Sequence, residues 1–467
     1  MKNSINQTLL ALFVLVISAV SLSAQNNQNN KINFDRPYDK AGLNMFETPK
    51  IETVPFTGFQ LKISGGFTQQ YQGLSHSNTA DVVLKDNTLT PATGDSVNIN
   101  ALYPMTNGFN LATANLILTA QLADGISVKL ENYMSARHHN EFWVKGGYVQ
   151  VDKLPFFGNP QWFSDNFTIK VGQMEVNYGD AHFYRTDNAN GIYNPFVGEN
   201  IMDAFATEIS GELYFKPSNG IIAMVGMSSG LLNADLSYFK DPATGDTISR
   251  KPSIYAKIGY DKQLNDDLRV RLTGSVYANG GTSRNTLYGG DRAGSRYYLA
   301  GEPQYYMSGT TLTASTPTNK AFSGRIDPGF NSQVMSIMVN PFIKFHGLEV
   351  FATYEMSNGN GSLSNVLDSV DRSFNQIAAA VVYRFLPEEQ CYVGVRYNTV
   401  TGRLYGYSDT DGDINVNRLQ IAAGWFPTEN LLVKLEYVDQ KYDNFKTTDV
   451  RNGLEFKGVM VEASVGF

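Results

Sequence analysis

From Phe59 almost to the end of the chain, apolar and polar residues alternate with a period of two. Phe59, Leu61, Ile63, Gly65 and Phe67 interleave with Gln60, Lys62, Ser64, Gly66 and Thr68. Leu268, Val270, Leu272, Gly274 and Val276 interleave with Arg269, Arg271, Thr273 and Ser275. Leu348, Val350, Ala352 and Tyr354 interleave with Glu349, Thr353 and Glu355, and Leu431, Val433, Leu435 and Tyr437 with Lys434 and Glu436. Such alternation marks strands with one face in each of two environments. Ile117 breaks the polar set of its segment. No segment has a helical period, and none repeats at a solenoid spacing. Sixteen segments are predicted, starting near 59, 109, 126, 142, 166, 204, 220, 252, 267, 333, 348, 373, 391, 417, 430 and 454. Most run about 10–14 residues, enough for a tilted strand to cross a bilayer.

The connections alternate in length. Short ones fall at 123–125, 216–219, 263–266, 346–347, 386–390 and 427–429, with a longer turn at 154–165. Long ones fall near 72–108, 134–141, 176–203, 229–251, 279–332, 358–372, 401–416 and 441–453. A soluble sandwich has no reason to place every second loop on the long side. A transmembrane barrel does, with tight turns facing the periplasm and long loops facing outward. Lipid cannot satisfy free backbone groups, so a spanning sheet must close on itself. The predicted fold is therefore all-β: a transmembrane antiparallel barrel of about sixteen strands over 58–467. Parity assigns Lys129, Glu131, Lys170, Glu208, Glu212, Lys257, Arg269, Arg271, Arg384, Arg396, Lys434 and Glu436 to the lumen. So charged a lining implies water, and sixteen strands are wide enough for an aqueous channel.

Composition sharpens this. Charged residues make up 17%, against about 25% in ordinary soluble proteins. Mean hydropathy is −0.24, too low for a polytopic helical protein. With 26 Tyr, 28 Phe and 3 Trp, disorder is excluded. Aromatics recur near segment ends (Phe59, Tyr71, Phe215, Tyr260, Trp425), as interfacial girdles would. Residues 1–24 read as a secretory signal peptide: Lys2, the apolar run 9–20, then Ser21, Ser23 and Ala24. Residues 25–57 read as a periplasmic N-terminal segment. Cys391 is the single cysteine, so no intramolecular disulfide forms. A net charge of −7 argues against nucleic acid as a partner.

The chain closes on Val459, Val461, Ala463, Val465 and Phe467. Apolar alternation finishing on Phe resembles the terminal signal that barrel assembly machinery reads in Gram-negative outer-membrane barrels. The layout is similar to sixteen-stranded porins. The stretch 169–180 (IKVGQMEVNYGD), with Arg185 and Asn188, loosely resembles phosphate-selective and dicarboxylate porins and porin-like proteins of Bacteroidetes. The resemblance implies an outer-membrane location, lipid contacts and a possible homotrimer, with no cofactor.

Candidate chemistry concentrates in loop 176–203, which holds Asp180, His182, Arg185, Asp187, Glu199 and Asp203. A long polar loop at this position is expected to fold inward and screen solutes by size and charge. Basic residues Lys257, Arg269 and Arg271 are offset by Glu208, Glu212, Glu349 and Glu355, so a mixed-charge wall is expected. Asp409, Asp411 and Asp413 form a weak calcium candidate without EF-hand spacing. Gly226–Gly230 matches G-x-S-x-G but lacks the strand–turn–helix context of a nucleophile elbow. The histidines have no zinc spacing. The reading is a non-enzymatic channel for small hydrophilic solutes or ions, narrowed by an inward loop. Its alternatives are a structural or secretion-associated barrel with partner-binding loops, of which 279–332 is the candidate, and an outer-membrane lipid hydrolase.

Overall fold

The computed structural model describes residues 31–89, 95–135, 142–230, 239–240, 247–248, 250–282, 284–290, 296–316, 323–363, 366–367 and 370–467. The proposed signal peptide lies outside the described residues. Sixteen antiparallel strands form one closed barrel. They are β1 (Gln60–Ser77), β2 (Gly108–Ala123), β3 (Ile126–Met134), β4 (Trp143–Val151), β5 (Phe167–Glu175), β6 (Thr207–Phe215), β7 (Ile221–Ser228), β8 (Ser253–Gln263), β9 (Leu268–Asn279), β10 (Gln333–Phe345), β11 (Leu348–Asn360), β12 (Arg372–Phe385), β13 (Cys391–Gly402), β14 (Ile414–Thr428), β15 (Leu431–Asp443) and β16 (Glu455–Gly466). Each strand pairs with its sequence neighbour, and β1 pairs with β16 to close the ring. Every predicted start lies within three residues of the observed one.

Alternation decides which side each residue faces. Along β12 buried and exposed residues alternate without a break. Ile377, Val381, Tyr383 and Phe385 point out, while Gln376, Ala378, Ala380 and Arg384 are buried inside. Around the ring the same outward rows carry Leu61, Ile63, Ile258, Leu272, Ile337, Ile343, Ile421 and Leu435. This continuous apolar belt would be a severe liability in water. In lipid it is the surface a spanning barrel needs. The fold is therefore that of a multi-pass outer-membrane β-barrel.

One end carries short connections, such as 124–125, 346–347 and 429–430, and the longer turn at 152–166. The other end carries the long ones, including 176–206 and 280–332. The register shifts at Gln69/Gln70, Glu131/Asn132 and Trp425/Thr428, as bulges in a curved sheet do.

The lumen is not an open bore. Three segments fill it. The described part of the N-terminal segment enters from the short-turn end, and 176–206 and the described parts of 280–332 enter from the long-loop end. Together with the wall they build an interior core that includes Tyr178, Val197, Ile201, Leu287, Tyr297 and Phe330.

Candidate functional site

The 176–206 segment crosses the barrel interior. Its backbone is held by the wall at several heights. The Val197 N–H donates to Glu436 at 2.7 Å, Ile201 N–H to Asn398 at 2.7 Å, and Met202 N–H to Gln376 at 2.9 Å. Lys434 donates to the carbonyls of Gly191, Asn194 and Phe196 at 3.1–3.2 Å and pairs with Glu462 at 2.5 Å. Close approach to β1 needs Gly66. A Cβ there would lie 2.8 Å from that of Ala189, itself held in the left-handed region at φ 62°. Ile117, the apolar intruder on the polar face, packs with Tyr38 and Ala189. Its apolarity is thus a contact with the filling.

One knot of charge joins two inserted segments to the wall. Asp180 accepts from Lys257 at 3.0 Å, Arg271 at 2.8 and 2.9 Å, and Thr273 at 2.7 Å. Glu47, from the N-terminal segment, takes Arg271 at 2.7 Å and Lys257 at 3.1 Å. Burial pushes the Asp180 and Glu47 carboxyls up. Arg271 and Lys257 more than reverse this and hold both below the usual carboxylate range. A second knot pairs Asp187 with Lys145 at 2.8 Å and Arg185 with Asp203 at 2.8 Å, the Arg185 guanidinium lying 4.0 Å from the Phe205 ring centre. His182 bridges Glu175 at 2.6 Å and Asn177 at 3.0 Å. Glu199 accepts the Thr186 N–H at 2.9 Å. The six loop residues chosen from the sequence therefore all lie in the filled interior, although they divide between clusters.

The wall residues lie inside, as parity places them, but not around water. Glu208, Glu212, Lys257, Arg271, Arg384, Lys434 and Glu436 are all buried, none more than 3% exposed. Glu131 and Arg396 are buried as well, at 8% and 9%. An aqueous lining at these positions is corrected to a packed one. The physical reason is that the inserted chain supplies partners. Glu436 receives the Val197 N–H and, at 2.7 Å, the Tyr297 hydroxyl. Arg384 pairs with Glu349 at 2.9 Å. Glu208 accepts from Tyr277 at 3.0 Å and from Ser228. Arg269, 25% exposed, pairs with Asp261 at 2.7 Å near the short-turn end.

Sequence reasoning missed the other two fillings. Residues 31–57, read as a periplasmic segment, lie against the short-turn end and inside the wall. Asp35 pairs with Lys62 and Lys129 at 2.8 Å each, Lys50 with Asp152 at 3.1 Å, and Phe46 packs edge-on to Phe342 at 5.4 Å. The loop after β9 sends Tyr288 to Glu355 at 2.8 Å, Arg296 to Glu462, and Phe330 against Phe374. Its aromatic content was the available signal.

Two spaces persist. One, about 50 Å³, lies between the 176–206 segment and the apolar wall of Phe342, Ala378, Ala380 and Val382. The other, about 130 Å³, is polar and lies between residues 34–48, the inner wall of β3–β6 and the start of 176–206.

The remaining candidates are elsewhere. Arg403 holds Asp409 and, at 3.2 Å, Asp413, while Lys446 holds Asp411 at 3.1 Å. The calcium candidate is thus corrected to an ion-paired loop, and no metal-binding group occurs among the described residues. Ser228 ends β7 bound to Glu208, in a strand with no elbow. Phe467 exchanges backbone hydrogen bonds with Gly65 at 2.9 and 3.0 Å and seals the β1–β16 seam.

No family model matches the chain, and no curated protein matches it significantly. Among solved structures, the outer-membrane channel DcaP of Acinetobacter baumannii is 13% identical, covering 89% of this chain and 99% of its own, with a TM-score of 0.48. The anion-selective porin of Comamonas acidovorans is 11% identical, covering 88% and 100%, with a TM-score of 0.47. OmpT of Vibrio cholerae is 10% identical, covering 89% and 100%, with a TM-score of 0.46. At these values the likeness carries no argument. The barrel and its site rest on this chain's own geometry.

Proposed function

We propose that the protein is an outer-membrane channel for small hydrophilic solutes, held nearly shut by its own chain. The observation supporting this is an apolar belt around a charged interior that still keeps a polar space of about 130 Å³. In this reading the short-turn end faces the periplasm and the long-loop end the exterior. Solutes pass when the 176–206 segment and residues 31–57 shift against the wall. The ion pairs at Asp180 and Glu47 make the closed arrangement the lower state. Opposed charges screen by size and sign, and no covalent chemistry is required. The apolar outer wall can pack against copies of itself, so a homotrimer is expected, as is recognition of Phe467 by assembly machinery.

Liposome swelling with sugars of graded size tests this. The expected result is slow swelling confined to the smallest solutes, faster once the Asp180 anchor is removed. No swelling with either protein would refute it. The burial of the wall charges favours a second reading, a structural or secretion-associated barrel with partner-binding loops. That barrel passes no solute even after the anchor is cut.

A further inference from the structure

The polar space between β3–β6 and residues 34–48 holds two charges that the rest of the interior does not match. The other charges that line or border it are held by an ion pair or a hydrogen bond. Lys129 is taken by Asp35 at 2.8 Å, Lys145 by Asp187 at 2.8 Å, and Lys50 by Asp152 at 3.1 Å. Glu212 accepts from Tyr255 at 2.9 Å, and Glu175 meets His182 at 2.6 Å. Lys170 and Glu131 line the same chamber, yet the side chain of neither has an ion pair or hydrogen bond among the described residues. Lys170 is flanked instead by two rings, Tyr148 at 5.5 Å and Tyr214 at 5.2 Å. Glu131 is 8% exposed, and the cations nearest it, Lys129 and Lys145, are committed to other carboxylates.

Glu131 is buried and Lys170 half-buried; a charge held from water without a partner is costly, and a chamber of this size holds either several waters or a small molecule. The two charges are of opposite sign and stand apart. Lys170 is level with Gln150, and Gln150 with Ser127 on β3. Glu131 is thus two strands away and four residues nearer the long-loop end, about 10 Å across and about 13 Å along the wall. Both residues line the one chamber. Opposite charges at two places on one chamber wall suit a molecule that carries both signs itself.

We infer that this chamber binds a small zwitterion, an α-amino acid or a dipeptide, with its carboxylate on Lys170 and its ammonium on Glu131. The inference rests on the channel reading for its biological use, but not for its test. Charge-assisted hydrogen bonds at both ends would favour a zwitterion over either half alone. The tyrosines beside Lys170 give the carboxylate end a partly apolar wall.

The test is equilibrium dialysis of the folded full chain in detergent micelles against radiolabelled glycine, alanine and glycylglycine, with acetate, methylammonium and glycerol as comparisons. Saturable one-to-one binding of at least one zwitterion, with Kd of about 1 mM or tighter, is expected. Acetate and methylammonium should each bind at least about tenfold more weakly. Lys170→Met and Glu131→Gln should each raise the zwitterion Kd by about tenfold or more, with heat-modifiable mobility confirming a folded barrel. No saturable zwitterion binding to the wild type, or equal binding of zwitterion and glycerol, overturns the proposal. Flux plays no part in this assay. A protein that binds zwitterions and passes no solute overturns the channel reading alone, and one that passes solutes and binds none overturns this inference alone.

Discussion

Asp180→Asn removes one charge and leaves the shape almost unchanged. In the native barrel that carboxylate is fully buried and receives four side-chain hydrogen bonds, three of them from Lys257 and Arg271. Glu47 would then be the one carboxylate left on Lys257, and would share Arg271 with Asp261, 3.1 Å away. Breaking a buried ion pair from one side costs about 3–5 kcal/mol, because the partner is left uncompensated. If the strain is relieved only when the 176–206 segment leaves its seat, the full cost falls on the closed state. The ratio of open to closed barrels then rises roughly a hundred- to several-thousand-fold. In planar bilayers the substitution should convert rare openings into sustained conductance, and liposome swelling should accelerate in parallel. Wild-type conductance and swelling from a folded Asp180→Asn barrel would refute the reasoning. The knot would then be a local ion pair with no hold on the filling.

Further outcomes follow from other parts of the molecule. Deleting residues 31–57 removes both Glu47 and Asp35, and should raise conductance at least as much as Asp180→Asn in the same bilayers. Burial holds the Lys216 ammonium down to about 8, against an ordinary 10.5, with Asp152 opposing. Between those values the unfolded chain binds the extra proton, so stability should rise with pH across that window and be lowest below about 8. Urea midpoints measured from neutral to alkaline pH should climb in the wild type and flatten in Lys216→Met. Val381 faces outward from the middle of β12, and Val381→Arg should cost about 2–4 kcal/mol if that face meets the bilayer midplane. Unfolding in lipid vesicles checks this, and a loss near zero would mean the belt is not in hydrocarbon there.

The strands were readable because alternation is a local property. Each of the sixteen segments carries its own record of which residues face outward, so Leu61, Ile63, Leu272 and Leu435 could be placed without their neighbours. What fills the ring was not readable in that way. Lys434 and Glu436 are polar on the inward parity whether they meet water or chain. Only the arrival of Gly191, Asn194 and Val197 from far along the sequence decides between the two. Some signals were present. Ile117 sat on a polar face for no local reason. Residues 31–57 and 280–332 carried Tyr38, Phe46, Tyr288, Tyr297 and Phe330, large rings that an exposed tail or loop does not need. The unpaired state of Lys170 and Glu131 was beyond any sequence argument, since it depends on where Asp35 and Asp187 spend their charge.

The fillings also differ in the direction from which they came. Residues 176–206 and 280–332 are tethered by strands on both sides at the long-loop mouth, so they can retreat only that way. Residues 31–57 are tethered through the start of β1 at the opposite mouth. The barrel is therefore bolted from both mouths. A force or ligand acting on one side draws only its own bolt, and Lys257 with Arg271, which grip Asp180 from one and Glu47 from the other, are where the two bolts meet.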